Sequence, residues 1–293
     1  MTAPAPASPV ATSSTPAATS VQASLNFLRP AAERPVHYQY EPPPGVPVRT
    51  GDYDPHLVTI HNARTLPAEL SLDREGFALL QAPSDFGDFG DEEAIRRYYY
   101  QEVERLLRHA TGAALVLTFD HNIRNGARAA SGNPGIKAPV ERTHNDFTAR
   151  SAPDRARREL TAHGLDADAW LAHRFAIINL WRPIGRTVEK SPLALCDAQS
   201  VRADDLVATD LVYRDRVGEI QSLVFHPDQR WYYFPHLAPD EAILIKGHDS
   251  AGRPVGDGIA RLSCHSAFHD PTSPAGAPER ESIEARALVF YPD

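Results

Sequence analysis

Residues 259–290 read IARLSCHSAFHDPTSPAGAPERESIEARALVF, and their pattern decides the fold class. Two runs of strand composition, 259–268 and 282–290, flank a loop rich in Pro and Gly. The first run carries His265. In the second, Arg280, Ser282 and Arg286 share parity and line one face, while Ile283, Ala285 and Ala287 line the other. A buried strand has little reason to place two Arg and a Ser on one face just after a His-bearing strand. A dicarboxylate ligand supplies the reason, because Arg grips carboxylate in bidentate fashion and a hydroxyl adds a donor.

Upstream, His144-Asn145-Asp146 offers the complement. Residues i and i+2 of an extended segment point the same way, so His144 and Asp146 can converge on one ion. With His265 they make the two-imidazole, one-carboxylate set of a facial non-haem iron site. H-x-D alone is weak evidence in a chain with 13 His; the His and the Arg–Ser strand downstream give it weight. Cys264 adjoins His265 and therefore points to the opposite face. His121, His226, His236, His248 and His269 have no second ligand at a convincing spacing and read as loop or surface residues.

Between these motifs the chain reads as short strands with Pro and Gly in the gaps: 56–62, 76–81, 113–119, 174–181, 210–213, 220–226, 230–234, 242–246, 259–268 and 282–291. Such spacing suggests a sandwich or barrel. Asp91 caps a helix that runs to Gly112, a polar, Gly-rich loop covers 120–137, and helices are expected over 153–163 and 167–173. Residues 1–23 are almost entirely Ala, Pro, Ser and Thr, and read as a disordered tail without the basic and apolar regions of a signal peptide. Residues 24–293 read as one catalytic domain.

Hydrophobic residues make up 42% of the 293 and charged residues 23%, which suits a globular protein with a sizeable core. The net charge of −8 argues against nucleic-acid or anionic-membrane partners. It leaves room for a small anion, which needs only one or two buried Arg. The absence of a membrane-length apolar stretch, and only two cysteines, Cys196 and Cys264, suggest a cytoplasmic protein without a disulfide framework.

The order H-x-D, distal His, R-x-S resembles the 2-oxoglutarate/iron(II) dioxygenase superfamily. The phrases HNDFTARSAPDR, RFAIINLWRPI, SPLALCDAQSV, RWYYFPHLAPDEAILIK and HSAFHDPTSP…RESIEARALVF resemble one branch of it, the CmcJ/AsaB-like hydroxylases and desaturases. That branch includes relatives of the fungal gibberellin desaturase and a cephamycin-pathway protein. The resemblance implies a double-stranded β-helix, mainly β with flanking helices. It implies iron(II) on His144, Asp146 and His265, with 2-oxoglutarate held by Arg280 and Ser282. Arg286, six residues after Arg280, resembles the second Arg of the DNA-dealkylating dioxygenases, so both arginines are candidates for the cosubstrate. Asn179, Trp181 and Arg182 recur in the family phrase and are candidate pocket residues. With O2 as oxidant, the expected activity is hydroxylation or desaturation of a small molecule, such as a secondary metabolite. Two other readings stay open: a cupin-like metal dioxygenase acting without 2-oxoglutarate, and a barrel-shaped binding protein without catalysis. Oligomeric state is left open.

Overall fold

Short apolar runs separated by Pro and Gly cannot bury both faces as isolated strands, so they pair into sheets that cover one another. The structure, a computed structural model, describes residues 18–253 and 258–292. In chain order the strands are β1 (Ser20–Leu28), β2 (Val36–Tyr38), β3 (Tyr53–Asn62), β4 (Phe77–Gln81), β5 (Leu115–Arg124), β6 (Ile136–Lys137), β7 (His144–Asn145), β8 (Phe175–Pro183), β9 (Leu193–Cys196), β10 (Leu206–Val212), β11 (Val217–Leu223), β12 (Trp231–Tyr233), β13 (Glu241–Asp249), β14 (His265–Ala267) and β15 (Ser282–Phe290). One sheet has the order β1-β3-β12-β9-β14-β7-β11-β10-β2 and the other β4-β13-β8-β15-β5-β6. Together they form a jelly roll of the double-stranded β-helix kind. Its cavity is lined from both sheets, by β5 and β15 on one side and β7, β10 and β11 on the other.

The smaller sheet is sandwiched. β8, β13 and nearly all of β15 are buried on both faces. Outside them lies a continuous helical rod over residues 92–111, with one π turn at Ile95–Tyr99. Asp91 caps it by accepting from the Glu93 and Ala94 amides, and Gly112 ends it at φ 69°, as a left-handed C-cap requires. Ile95, Tyr99, Val103 and Leu107 pack onto Ile283, Ala285, Ala287 and Val289. The small residues of β15 let the helix sit close, and the opposite parity of that strand is left for the cavity.

Four expectations change. The tail is shorter than expected: Ser20–Ala23 belong to β1, where Val21 and Ala23 pair with Ile60 and Val58 and are buried. Two small apolar side chains with cross-strand partners were enough, and the composition of the tail concealed them; residues 1–17 lie outside the described residues. β5 continues through Arg124 instead of stopping at Phe119, because its polar end faces the cavity, and the expected loop also holds a short helix (Gly126–Ala130) and β6. Of residues 259–268, only His265–Ala267 is strand. β9, within SPLALC, adds a strand that low alternation hid.

Gly76 sits at φ +84°, where a Cβ would lie 2.8 Å from the Leu262 carbonyl oxygen. Its own carbonyl accepts from Lys246, whose carbonyl accepts from Ser263, so this close approach sets the segment that leads into His265. The left-handed backbone alone costs a non-glycine residue about 1–2 kcal/mol. Gly76→Ala is expected to lose at least about 2 kcal/mol in urea denaturation, because the clash adds to the strain. Gly45→Ala, at φ +87° with nothing within 4 Å, should lose only the strain. Equal losses in the two variants would show that the Leu262 contact yields freely.

Candidate active site

β7 and β14 are antiparallel neighbours in which His265 stands directly opposite His144. Their rings lie 4.5 Å apart between centroids. Asp146 follows β7 on the same parity, and its Oδ1 is 3.6 Å from His144 Nε2. One ligand atom from each of His144, Asp146 and His265 lies within 4.8 Å of the other two. In each imidazole Nδ1 faces a backbone carbonyl, Arg142 O for His144 at 2.8 Å and Ser263 O for His265 at 3.5 Å. This arrangement favours Nε2 as the free lone pair.

Burial pulls the His144 imidazole down to about 4, helped by His265, and it lowers His265 too. Burial alone would raise the Asp146 carboxyl, but Arg286 and the two imidazoles outweigh it and hold the group well below the usual carboxylate range. Two neutral imidazoles and one carboxylate converge on a point with a cavity on one side, so the donor set fits a divalent metal with open positions. Asn145 fixes the turn: its amide donates to Gly247 O at 3.0 Å and also reaches Phe147 O and Gln221.

The residues of the Arg-bearing strand divide between two tasks. Arg286 Nε donates to Asp120 at 2.6 Å, and its Nη1 lies 3.6 Å from Asp146 Oδ2. Asn179 donates to the same Asp146 oxygen at 2.8 Å and approaches Glu284 at 3.4 Å. Arg286 and Asn179 therefore orient the carboxylate of the triad.

Arg280 has no carboxylate partner among the described residues. It is buried against the Trp181 ring at 5.3 Å, donates through Nη1 to Ser191 O at 2.5 Å, and leaves Nε unpaired. Burial, aided by Arg124, pulls its guanidinium down to about 9. The Ser282 hydroxyl is likewise buried without a partner among the described residues. A narrow compartment joins Arg280 and Trp181 to His144 and His265. Unspent buried donors cost about 1–3 kcal/mol each, and a carboxylate arriving from the metal side would satisfy them. The donors therefore fit 2-oxoglutarate.

Arg182 is not a pocket residue. It alternates with Trp181, faces the helix side, and pairs with Glu102 at 2.8 Å and with Ala82 O. Among the other histidines, His248 is buried within β13, and the His121 side chain is buried with a bond to the Tyr100 hydroxyl. Neither is a surface residue.

Beyond the triad opens a cavity of about 610 Å³, bordered by His144, Asp146 and Arg286. Arg124 touches both this cavity and the inner compartment. Sequence reading missed Asp120, Asn122 and Arg124. They share parity on β5, and the parity test applied to residues 280–286 would have found them. A bulge hid the pattern, since Arg286 pairs with Asp120 but Ala287 with Thr118, which interrupts the alternation at Phe119.

The family described as Oxidoreductase/YMDC permease-like domain matches residues 25–290. The hydroxylase/desaturase efuI of Hormonema carpetanum is 32% identical over 263 residues, covering 82% of this chain and 85% of that protein. The Fe(II)/2-oxoglutarate-dependent dioxygenase nvfI of Aspergillus novofumigatus is 30% identical over 280 residues, covering 92% and 96%. A solved structure described as the iron and alpha-ketoglutarate-dependent endoperoxidase NvfI superposes with a TM-score of 0.83 at 28% identity, over 94% of this chain and 99% of that one. The chain thus belongs to this oxidoreductase family, on the branch that holds the fungal hydroxylase/desaturases and iron(II)/2-oxoglutarate-dependent dioxygenases.

Proposed function

We propose that the chain is an iron(II)/2-oxoglutarate-dependent oxygenase that hydroxylates or desaturates a small organic molecule, with His144, Asp146 and His265 as metal ligands. The observation that carries this reading is the convergence of those three ligand atoms beside a buried guanidinium with an unspent donor. Bound there, iron with 2-oxoglutarate and O2 supplies the oxidising power to break an unactivated C–H bond, the cosubstrate leaving as succinate and carbon dioxide.

The residues contribute position and charge. Backbone carbonyls facing Nδ1 favour the tautomer that presents Nε2, more closely at His144 than at His265. Arg286 and Asn179 hold Asp146. Arg280 and Ser282 are the donors for the distal carboxylate of the cosubstrate. Arg286, already paired with Asp120, is not one of them, so its role here is to orient a metal ligand. Packing of Trp181 on Arg280 keeps water from that end and strengthens each charged hydrogen bond there.

The substrate enters from the larger cavity. Residues from β1 onward act as one catalytic domain. No helix among the described residues is long and apolar enough to cross a membrane, and Cys196 and Cys264 are free and buried, which supports a cytoplasmic setting.

Anaerobic protein given iron(II) and 2-oxoglutarate should show the weak visible charge-transfer band of the chelate. His144→Ala should abolish the band. Arg280→Ala should raise the half-saturating 2-oxoglutarate concentration at least tenfold, the loss of one charged hydrogen bond of about 1.5–3 kcal/mol. Iron binding without a band at any cosubstrate concentration would favour a cupin-like dioxygenase; no iron binding would favour a binding protein.

Arg286→Met should weaken retention of iron several-fold on gel filtration. At saturating iron it should leave the 2-oxoglutarate requirement within about threefold, well short of a lost charged hydrogen bond. A cosubstrate defect as large as that of Arg280→Ala would reassign Arg286 to the cosubstrate.

A further inference from the structure

The cavity's charge runs against that of the chain. The whole sequence carries −8, yet the cavity wall has five cations, Arg49, Arg124, Lys137, Arg142 and Arg286, against two carboxylates, Glu141 and Asp146. Arg286 is neutralised by Asp120 and Asp146. None of the other four has an ion pair among the described residues. They fall into two groups on different parts of the wall.

Arg124 and Lys137 are directly opposite each other on β5 and β6. Arg124 also touches the inner compartment, and both already donate to neighbours, Arg124 to Ala138 O at 2.9 Å and Lys137 to Asn122 at 2.6 Å. Arg49 and Arg142 lie with His37 on another part. His37 faces Arg49 across a β-bridge, and Arg49 Nε is 2.7 Å from His37 Nε2. Arg142 sits over the Tyr53 ring at 5.7 Å. It precedes His144 by two residues and opens on the same cavity. Arg49 is exposed at the mouth of the cavity while Arg142 and His37 are half-buried, and all three border the same opening. Neither guanidinium has an ion pair among the described residues, so an anion in the cavity would find both available. Val36, Val140, Leu211 and Ile220 make up apolar wall of the same cavity.

We infer that the substrate is an amphipathic organic anion, its carboxylate or equivalent group held by Arg49 and Arg142 while its apolar body lies along Val36, Val140, Leu211 and Ile220. The inference rests on the proposed site, since it takes this cavity as the place where substrate is bound. Arg142 precedes His144 by two residues, so the anionic group is held on the wall beside the metal site and not at it. The C–H bond presented to the metal therefore belongs to the body of the molecule and lies several bonds from its charged end. A volume of about 610 Å³ matches a ligand of drug size. A neutral molecule of the same shape would leave the two arginines unpaired in the wall.

The test uses two fluorescent probes of one aromatic body, anionic 8-anilinonaphthalene-1-sulfonate and neutral N-phenyl-1-naphthylamine. Each is titrated into protein loaded with zinc(II) in place of iron and saturated with 2-oxoglutarate. Wild type should bind the sulfonate at least tenfold more tightly than the neutral probe. The double variant Arg49→Ala/Arg142→Ala should lose that preference and keep its affinity for the neutral probe. The iron/2-oxoglutarate absorption band, measured on the same variant, should be unchanged and so report an intact centre. The inference is overturned if wild type binds neither probe or both alike. It is also overturned if the variant keeps the preference, or loses both probes with its band intact. Absence of the band in wild type would sink the proposed oxygenase reading, while the anion preference would still be decided by the two probes.

Discussion

Everything at the centre depends on a register between two very short strands. β7 has two residues and β14 three, too few ladder bonds to hold themselves in place. A slip of one residue would turn His144 or His265 away from the cavity. The register is instead imposed from outside. Asn145 ties the turn after β7 to Gly247 of β13 and to Gln221 of β11. Cys196 bonds the Cys264 carbonyl beside His265. The Gly76–Lys246–Ser263 contacts set the approach to β14. Both sheets are thus needed to align two imidazoles.

Electrostatic organisation follows from that alignment. Three ligand groups in a buried space would be costly if all were charged, and burial keeps the imidazoles neutral. The one remaining charge, on Asp146, is balanced by Arg286, which is itself balanced by Asp120. Arg280 is the contrast. It is the more deeply buried of the two, six residues away on the same parity, and among the described residues it has no ion pair, with Glu284 lining the same compartment but not bonded to it. Two arginines that look equivalent in the sequence therefore differ in what they still have to offer a ligand.

Much of this was legible because the signals were local. Asp91 and Gly112 mark the ends of the long helix through their own backbone chemistry. The alternation of Arg280, Ser282 and Arg286 with Ile283, Ala285 and Ala287 separates the cavity face of β15 from its helix face. The failures have equally specific causes. Trp181 and Arg182 were grouped as pocket residues although adjacent strand positions point apart, and Arg182 belongs to the helix side. The bulge at Phe119 disguised the polar end of β5. Ser20–Ala23 were concealed because Val21 and Ala23 are small and their partners in β3, Ile60 and Val58, lie 39 and 35 positions away (60 − 21 and 58 − 23). Arg49 and Arg142 could not be paired from sequence, since the topology alone brings them to one cavity.

The pairing of His144 with His265 also has a kinetic meaning. The two residues are 121 positions apart (265 − 144), and contacts of such long range close late and slowly in β-rich chains. A nascent or partly folded chain can offer the His144 and Asp146 ligands but not the complete set. A metal held by all three groups would therefore require this long-range pairing to have formed. Retention of a metal there would thus report that the two distant halves of the chain have come together.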